Sequence, residues 1–334
     1  MAAPLIAGGA CGMATNARTV HNNVFMVTAY PLATGVDYAD LDFLGQPGII
    51  ATGFLHGAAG VAIIDPGPAT CLATLEAALK ARGFGWDDVQ AVLLTHIHLD
   101  HAGGSGHVLQ AARFARLYVH EHGARHMVDP TKLIASAARL YKDDMARLWG
   151  TMLPVPADRV DVLGDRNSLS IAGHEIEVAW TPGHASHHVS YFLPASRIAF
   201  VGDTAGICRP SGRVVLPPTP PPDIDLEAWH VSTDTILGWN PNTLFLTHFG
   251  PQPSPAMHFQ DLWRRLDDWS QRVRASLADT GRTDEERAAA FTKSVVEELE
   301  RATSREEAKA YARAGRFDFS WAGLARYWRQ RLGQ

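Results

Sequence analysis

The chain of 334 residues is poor in cysteine and contains no long apolar run. Its three cysteines, Cys11, Cys71 and Cys208, are odd in number and far apart, which argues against a disulfide framework and a thiolate zinc site. No apolar stretch approaches the roughly 20 residues that a membrane-spanning helix needs, so no membrane partner is expected. The cysteine usage fits a reducing compartment, and we expect a cytoplasmic protein.

Positive charge is also not in excess. Thirty Lys and Arg residues stand against 35 Asp and Glu residues, and the net charge of -5 gives no general attraction to nucleic acid. We therefore predict no nucleic-acid partner. Hydrophobic residues at 46% and charged residues at 19% are typical of a globular chain with an ample buried core.

The N-terminal residues 1–15 are small and apolar, which suggests a signal peptide ending near Ala10. However, the first basic residue is Arg18, and Pro4 and two glycines interrupt the apolar stretch. The positively charged start of a secretory signal is therefore missing, which disfavours a secretory leader. Whether this segment is processed stays open.

Short apolar segments, punctuated by glycine and alternating with helices, predict layered α/β architecture for residues 24–251. The apolar spacing at Leu72, Leu75 and Leu79 predicts a helix over residues 70–82. Nine strands are predicted, over residues 24–29, 49–55, 61–64, 92–95, 117–120, 176–180, 189–192, 198–201 and 244–247.

Two other segments predict additions to this unit, which we place at residues 20–257. Residues 131–148 have the spacing of one amphipathic helix, part of an insertion at about 124–150. This insertion is expected either to form a wall of the substrate pocket or to pack on the outer helices. Residues 217–222 are rich in proline and predict a stiff loop, which either lines the mouth of the site or simply connects elements.

Residues 258–334 predict a helical C-terminal extension. Capping boxes are predicted where Thr283 precedes Glu286 and where Ser304 precedes Glu307. The extension has three expected roles: capping the pocket, forming a homodimer, or both. Its apolar stripe favours core packing or a dimer contact over ligand binding, and consists of Trp263, Leu266, Val273 and Leu277.

Metal-ligand side chains are concentrated in residues 95–104, T-H-I-H-L-D-H-A-G-G, directly after an apolar run. Crowded imidazoles and a carboxylate are costly unless something satisfies them, and a divalent first-row metal does so. His96 and His98 are two apart and point the same way in an extended chain, whereas Asp100 and His101 follow where the chain turns. The two pairs of side chains are therefore expected to point at two neighbouring metal positions.

Three later motifs repeat the pattern of an apolar strand followed by a ligand-type residue beside a glycine. They are T-P-G-H with His184, V-G-D-T with Asp203, and T-H-F-G-P with His248. Glycine lets the backbone turn tightly at each place. The remaining metal ligands are therefore expected at the ends of these strands.

In this order, the four motifs resemble those of the metallo-β-lactamase-fold hydrolases over about residues 24–251. The resemblance implies an α/β fold: a four-layer αββα sandwich with the site at one edge, here with a helical insertion and a helical C-terminal extension. It implies two divalent metal ions, zinc by preference, with manganese or iron as alternatives. The implied ligands are His96, His98 and His184 for the first ion, Asp100, His101 and His248 for the second, and Asp203 as the bridge.

The resemblance further implies a hydrolase in which a hydroxide shared by two ions, about 3.5–4 Å apart, attacks a small ester, thioester or lactone-like substrate. Asp100 is expected to serve catalysis by orienting the water or accepting its proton. Asp65, in I-I-D-P-G, matches the acidic turn residue beside the site and is expected to be structural. Glyoxalase II-type thioesterases share the ligand set, but no glutathione-binding basic cluster is evident in the sequence.

Differences between this sequence and related subfamilies narrow the range of expected substrates. True β-lactamases of the fold lack a bridging Asp, whereas this chain offers Asp203. N-acyl homoserine lactonases carry a tyrosine three positions after that Asp, where this chain has Gly206. A lactonase activity would therefore need a different donor for the substrate oxyanion.

Other activities stay open as alternatives. Persulfide dioxygenases share this fold and bind one iron through a subset of these ligands, so the early motif does not exclude an oxidoreductase. A phosphodiesterase is less favoured, because the sequence shows no basic face. A catalytically idle binding protein is also less favoured, because every ligand position is filled.

Histidines outside the four motifs are assigned lesser roles. His120, His122 and His126 are not expected to form a further metal cluster, and His122 and His126 are expected at the surface or supporting the insertion. His187 and His188 follow His184 closely, and one of them is expected to enter the pocket or to hydrogen-bond a ligand.

Overall fold

A computed structural model describes residues 27–211 and 214–333. The segment in which we considered a leader lies outside the described residues, as does most of the predicted strand 24–29; residues 27–29 carry no strand. The first sheet has seven strands, in the order β1 (Tyr30–Ala33), β2 (Val36–Asp40), β3 (Ala51–Gly57), β4 (Gly60–Ile64), β5 (Val89–Leu93), β6 (Arg116–His120) and β7 (Val160–Leu163).

The second sheet has six strands and lies face to face with the first. Buried apolar side chains of both sheets form one cluster, in which Leu55 and Leu93 of the first sheet pack with Val178 and Phe200 of the second. β10 is buried along its whole length, because both of its faces are covered. The strand order is β13 (Gly250–Pro253), β12 (Thr243–Leu246), β11 (Ile198–Phe200), β10 (Val189–Leu193), β9 (His174–Trp180) and β8 (Arg166–Ile171).

Helices cover the outer face of each sheet, so the expected αββα sandwich is confirmed. On the first sheet, Leu75 and Val108 belong to the cluster that packs the helices over residues 72–81 and 105–111. On the second, Ile236 and Phe259 do the same for the helices over residues 226–238 and 255–277. These helices and the shorter ones between them are α1 (Leu72–Ala81), α2 (Leu99–Ala102), α3 (Ser105–Ala111), α4 (Glu121–Val128), α5 (Thr131–Tyr141), α6 (Met145–Trp149), α7 (Leu226–Gly238) and α8 (Pro255–Leu277).

The direction of the strands brings several loops to one edge. β4, β5 and β6 are parallel, and β11 and β12 are parallel in the other sheet. Parallel neighbours end on the same side of a sheet, so the segments that follow them are close in space. This edge is where the predicted ligands lie.

The insertion differs from its prediction. In place of one helix over residues 131–148, α5 ends at Tyr141 and α6 begins at Met145. Lys142 lies between them with φ 47° and ψ -124°, a backbone conformation that a non-glycine residue rarely adopts. The apolar periodicity of the sequence continues across this break and therefore does not predict it.

Four helices form the C-terminal region: α8 and then α9 (Asp284–Ala302), α10 (Arg305–Gly315) and α11 (Phe317–Leu332). The first predicted capping box is confirmed, since Thr283 Oγ1 accepts from the Glu286 amide and Glu286 Oε2 accepts from the Thr283 amide. At the second, Ser304 caps α10, but Glu307 accepts from Ser211 instead. Within the described ranges, no helix is long and apolar enough to cross a bilayer.

Trp269 of α8 anchors this region and provides a test of it. Its side chain is fully buried, and its ring packs edge-on at centroid distances of 5.4 Å from Phe291 and 5.7 Å from Phe317. We expect Trp269→Ala to lower the free energy of unfolding by about 3–5 kcal/mol, because it opens a large cavity. Denaturant melts measure this, with Met257→Ala on the same helix, where the side chain is 67% exposed, as the control. Equal loss in both variants would contradict the packing role.

Candidate metal centre

Seven histidine and aspartate side chains reach one edge of the sandwich from the ends of four strands. His96 and His98 follow β5, and Asp100 and His101 lie in the short helix α2 directly afterwards. The others follow strands of the second sheet: His184 after β9, Asp203 in the turn Gly202–Ala205 after β11, and His248 after β12.

Three of these histidines form one group. His98 Nδ1 lies 2.9 Å from His96 Nε2 and 3.0 Å from His184 Nε2. Nitrogens this close fit ligands that share one ion at bonds of about 2.0–2.1 Å. These three residues are therefore able to hold one metal ion.

A second group lies beside the first. His248 Nε2 is 3.3 Å from Asp100 Oδ2, and these two residues form a candidate ligand set with His101. Asp203 lies between the groups. Its Oδ1 is 3.3 Å from His101 Nε2, and its Oδ2 is 3.5 Å from His184 Nε2. The two oxygens of one carboxylate thus face the two groups.

The residues present fit divalent metal ions. His101 Nε2 and Asp203 Oδ1 are enclosed, and neither has a hydrogen-bond partner among the described residues. Buried polar atoms without partners are costly and call for an explanation. Imidazole nitrogens and carboxylate oxygens are the donors that zinc and other first-row divalent ions accept.

The electrostatics separate the histidines into two kinds. Burial lowers the pKa of His96 and lowers the pKa of His98 to about 4, so both rings are neutral at neutral pH. Burial also opposes protonation of His101, but the carboxylates of Asp203 and Asp65 outweigh it and raise its pKa. In the absence of an ion, the protonated ring of His101 therefore balances the negative charge of the aspartates beside it.

Asp100 is held as a carboxylate. Burial works against its charge, but the neighbouring His101 and His248 lower its pKa to about 2. Its side chain is 26% exposed, compared with 6% for Asp203. Asp100 thus presents a charged oxygen to the space above the site.

Asp65 orients one ligand from beneath the site. Its Oδ2 accepts from His101 Nδ1 at 2.8 Å and from the Thr95 and Thr247 hydroxyls, both at 2.7 Å, and its Oδ1 accepts from the Thr95 amide at 2.8 Å. The bond to Nδ1 leaves His101 Nε2 facing the other ligands. Asp65 therefore supports the ligand His101 from below, which is the structural position expected from the sequence.

Backbone carbonyls fix two further ligands in the same way. His184 Nδ1 donates to Pro218 O at 2.8 Å, and His248 Nδ1 donates to Ile49 O at 2.7 Å. Pro218 belongs to the proline-rich loop, which therefore supports the site in addition to connecting elements.

The remaining histidines divide between packing and the cavity. His188 is buried, with Nδ1 3.0 Å from Thr181 Oγ1, and its ring stacks on His96 at 5.0 Å. His120 is buried and stacks on Trp180 at 5.4 Å. His187 lines the cavity described next, together with His122 and His126.

A cavity of about 680 Å³ opens above the candidate ligands. The insertion forms one wall with Leu133, Tyr141 and Trp149, and the proline-rich loop contributes Pro218 and Pro220–222. Of the two expectations for the insertion, the structure favours the pocket wall.

The sequence did not reveal several of the lining residues. Arg316 and Phe319 come from the junction of α10 and α11, which no local pattern connects with a site. Tyr141 lies in the segment 131–148, for which the sequence predicts an amphipathic helix and no individual role. Four basic side chains, dispersed over the sequence, also line the cavity: Arg125, Lys132, Arg139 and Arg316.

The role of Asp65 is testable through metal affinity. In Asp65→Asn an NH2 group replaces one of the two carboxylate oxygens. All partners of Asp65 donate hydrogen bonds, so this NH2 group faces another donor, and the bond from Nδ1 that orients His101 is weakened. We expect metal affinity to fall about 10–100-fold, the usual effect of losing such a partner. Titration against a competing chelator measures it. Asp161→Asn, which removes a surface partner of Arg116, is the control, and unchanged affinity in Asp65→Asn would contradict the role.

Comparison with known proteins gives the family. The sequence model of the metallo-beta-lactamase superfamily matches residues 45–248. The metallo-beta-lactamase fold-containing protein ST1585 of Sulfurisphaera tokodaii is 27% identical over 167 residues, 49% of this chain and 62% of that protein. A hydroxyacylglutathione hydrolase of Maricaulis maris is 31% identical over 120 residues, 36% of this chain and 35% of that protein. The chain thus spans less than two thirds of the length of these relatives.

Solved structures agree on the fold. The metallo-beta-lactamase family protein TTHA1429 from Thermus thermophilus superposes with a TM-score of 0.62 at 24% identity, over 84% of this chain and 89% of that one. ST1585 superposes with a TM-score of 0.56 at 24% identity, over 71% of this chain and 85% of that one. Since the family match spans more than half of the sequence and includes all seven candidate ligand positions, the chain belongs to the metallo-beta-lactamase superfamily.

Proposed function

We propose that the protein is a metal-dependent hydrolase that cleaves a small ester, thioester or lactone-like substrate at a centre of two divalent ions. One observation carries this proposal: two groups of ligand atoms lie side by side at the base of a cavity, and the carboxylate of Asp203 faces both. A pair of adjacent ions suits hydrolysis, because attacking and leaving oxygens both need stabilisation.

The proposed ligands follow the two groups. His96, His98 and His184 hold one ion; Asp100, His101 and His248 hold the other; and Asp203 joins them. When bound, the two ions lower the pKa of water and polarise the substrate carbonyl. Zinc is the preferred identity, since all of these donors are nitrogen or carboxylate oxygen.

Asp100 has a second task in this proposal. Its carboxylate is ionised and lines the cavity, so it can accept a hydrogen bond from the attacking water and orient it. The neutral rings of His96 and His98 are ready to bind an ion without first losing a proton. The site therefore needs no serine or cysteine nucleophile.

The relatives support an acyl substrate. Several are hydroxyacylglutathione hydrolases, and one from Aspergillus fumigatus is an atrochrysone carboxyl ACP thioesterase, 29% identical over 116 residues. Away from the candidate ligands, the cavity is lined by four basic residues and by two acidic ones, Glu121 and Asp223, and this balance supports a substrate that carries negative charge away from the scissile bond.

The test is a purified protein with quantified metal, assayed on ester, thioester, lactone and phosphodiester substrates. We expect about two zinc or manganese ions per chain and hydrolysis of an acyl substrate that is lost on chelation and restored by metal. His96→Ala is expected to lose metal and activity together. His174→Ala, at the opposite end of β9 from the site, is the matched control.

Other outcomes would redirect the assignment. A single iron with oxygen consumption on a persulfide would identify the dioxygenase alternative. Preferred cleavage of the phosphodiester would replace the acyl substrate. Full metal occupancy without turnover on any substrate would favour a binding protein, and full activity in His96→Ala would refute the ligand set.

A further inference from the structure

Tyr141 is the last residue of α5, and its side chain lies in the cavity beside the candidate centre. It lines the same space as His98, Asp100 and Asp203. No ligand motif is near it in sequence, and the family match does not by itself give it a role. Its position raises the question of what its hydroxyl does.

The ring of Tyr141 is held in place by two segments. It packs edge-on against Trp149 of the insertion at 5.0 Å and against Phe319 of α11 at 5.4 Å. The guanidinium of Arg316 lies 6.0 Å from its centroid. Edge-to-face neighbours on more than one side restrict the ring, so the hydroxyl has a defined location.

The backbone contributes to this position. Lys142, directly after Tyr141, has φ 47° and ψ -124°, which is strained for a residue with a Cβ. Strain of this kind persists where the surroundings impose it, and it clusters at functional sites. The conformation of Lys142 ends α5 at Tyr141, the residue whose side chain lines the cavity.

The hydroxyl of Tyr141 has no partner in the part of the chain that the structure describes. It makes no hydrogen bond with the described residues, and its oxygen is not among the enclosed polar atoms. Burial raises the pKa of this phenol, which is protonated at neutral pH even in its unperturbed state, so it is available as a neutral donor.

The turn after Asp203 does not supply such a donor. Gly206 has φ +83°, and a Cβ there would meet Leu216 O at 2.8 Å and Leu262 Cδ1 at 2.9 Å. A side chain at that position would be strained and crowded. A side-chain donor to the substrate oxygen would therefore come from another element in this chain.

We propose that Tyr141 is a catalytic residue that donates a hydrogen bond from its hydroxyl to the oxygen of the scissile carbonyl. This rests on the proposed acyl hydrolysis. Water adds across the acyl bond, with its oxygen going to the acyl carbon and a proton to the leaving group, and Tyr141 keeps its own proton. The hydrogen bond stabilises the negative charge that develops on the carbonyl oxygen.

Tyr141→Phe tests the proposal, because it removes the hydroxyl and keeps the ring. On an acyl substrate that the wild type hydrolyses, we expect kcat to fall about 100-fold, the usual effect of losing one such donor, with KM changed only a few-fold. Metal content and melting temperature are expected to stay at wild-type values. Tyr118→Phe, which removes a hydroxyl on β6 outside the cavity, is the matched control and is expected to keep full kcat.

A series of aryl esters with leaving groups of different pKa sharpens the test. Donation to the carbonyl oxygen predicts the same fold-loss in Tyr141→Phe for every ester. A loss that grows with leaving-group pKa would assign the hydroxyl to the leaving group and overturn the proposal. Wild-type kcat in Tyr141→Phe would overturn it and leave the proposed hydrolase standing, whereas a fully metal-loaded wild type that hydrolyses no acyl substrate would overturn both.

Discussion

The carboxylate of Asp65 ties the candidate centre to the fold. It follows β4 and is fully buried, and it accepts hydrogen bonds from residues after β5, in α2 and after β12. A buried charge without partners is very costly, so the four donors must be in place for the chain to pack. One interaction therefore brings together segments of both sheets and fixes the orientation of His101. The hydrogen bonds of Asp65 thus couple the position of His101 to the packing of the two sheets.

Much of this was predictable because the ligand motifs each follow an apolar strand. Runs such as those before His96 and His248 are buried on both faces and stand out in sequence. Parallel neighbours end at one edge, so the residues after them had to converge. Five strands were missed: β1, β2, β7, β8 and β13. Two of them show the reason, because β8 alternates exposed and half-buried residues, and β13 contains two prolines at the sheet edge. Neither carries the apolar run that marked the others.

The cavity was less predictable, since its walls come from segments far apart in the chain. The end of α5 has no glycine or proline to announce it, because the change of direction falls on Lys142. Arg316 lies between α10 and α11, and Phe319 lies in the first turn of α11, both beyond the last residue of the family match. The packing of α11 against the insertion and against the proline-rich loop brings them to the cavity. Local patterns therefore indicated which side chains form the candidate metal centre, but not which surfaces line the cavity above it.

The contact between Tyr141 and Phe319 joins the insertion to the C-terminal helices in the wall of the cavity. Both partners lie outside the strands and turns that position the candidate ligands, so these two segments can change without moving those ligands. Under the proposed hydrolysis, remodelling either stretch would alter the substrates that the cavity admits and the setting of the Tyr141 hydroxyl, whereas the seven ligand side chains would stay in place.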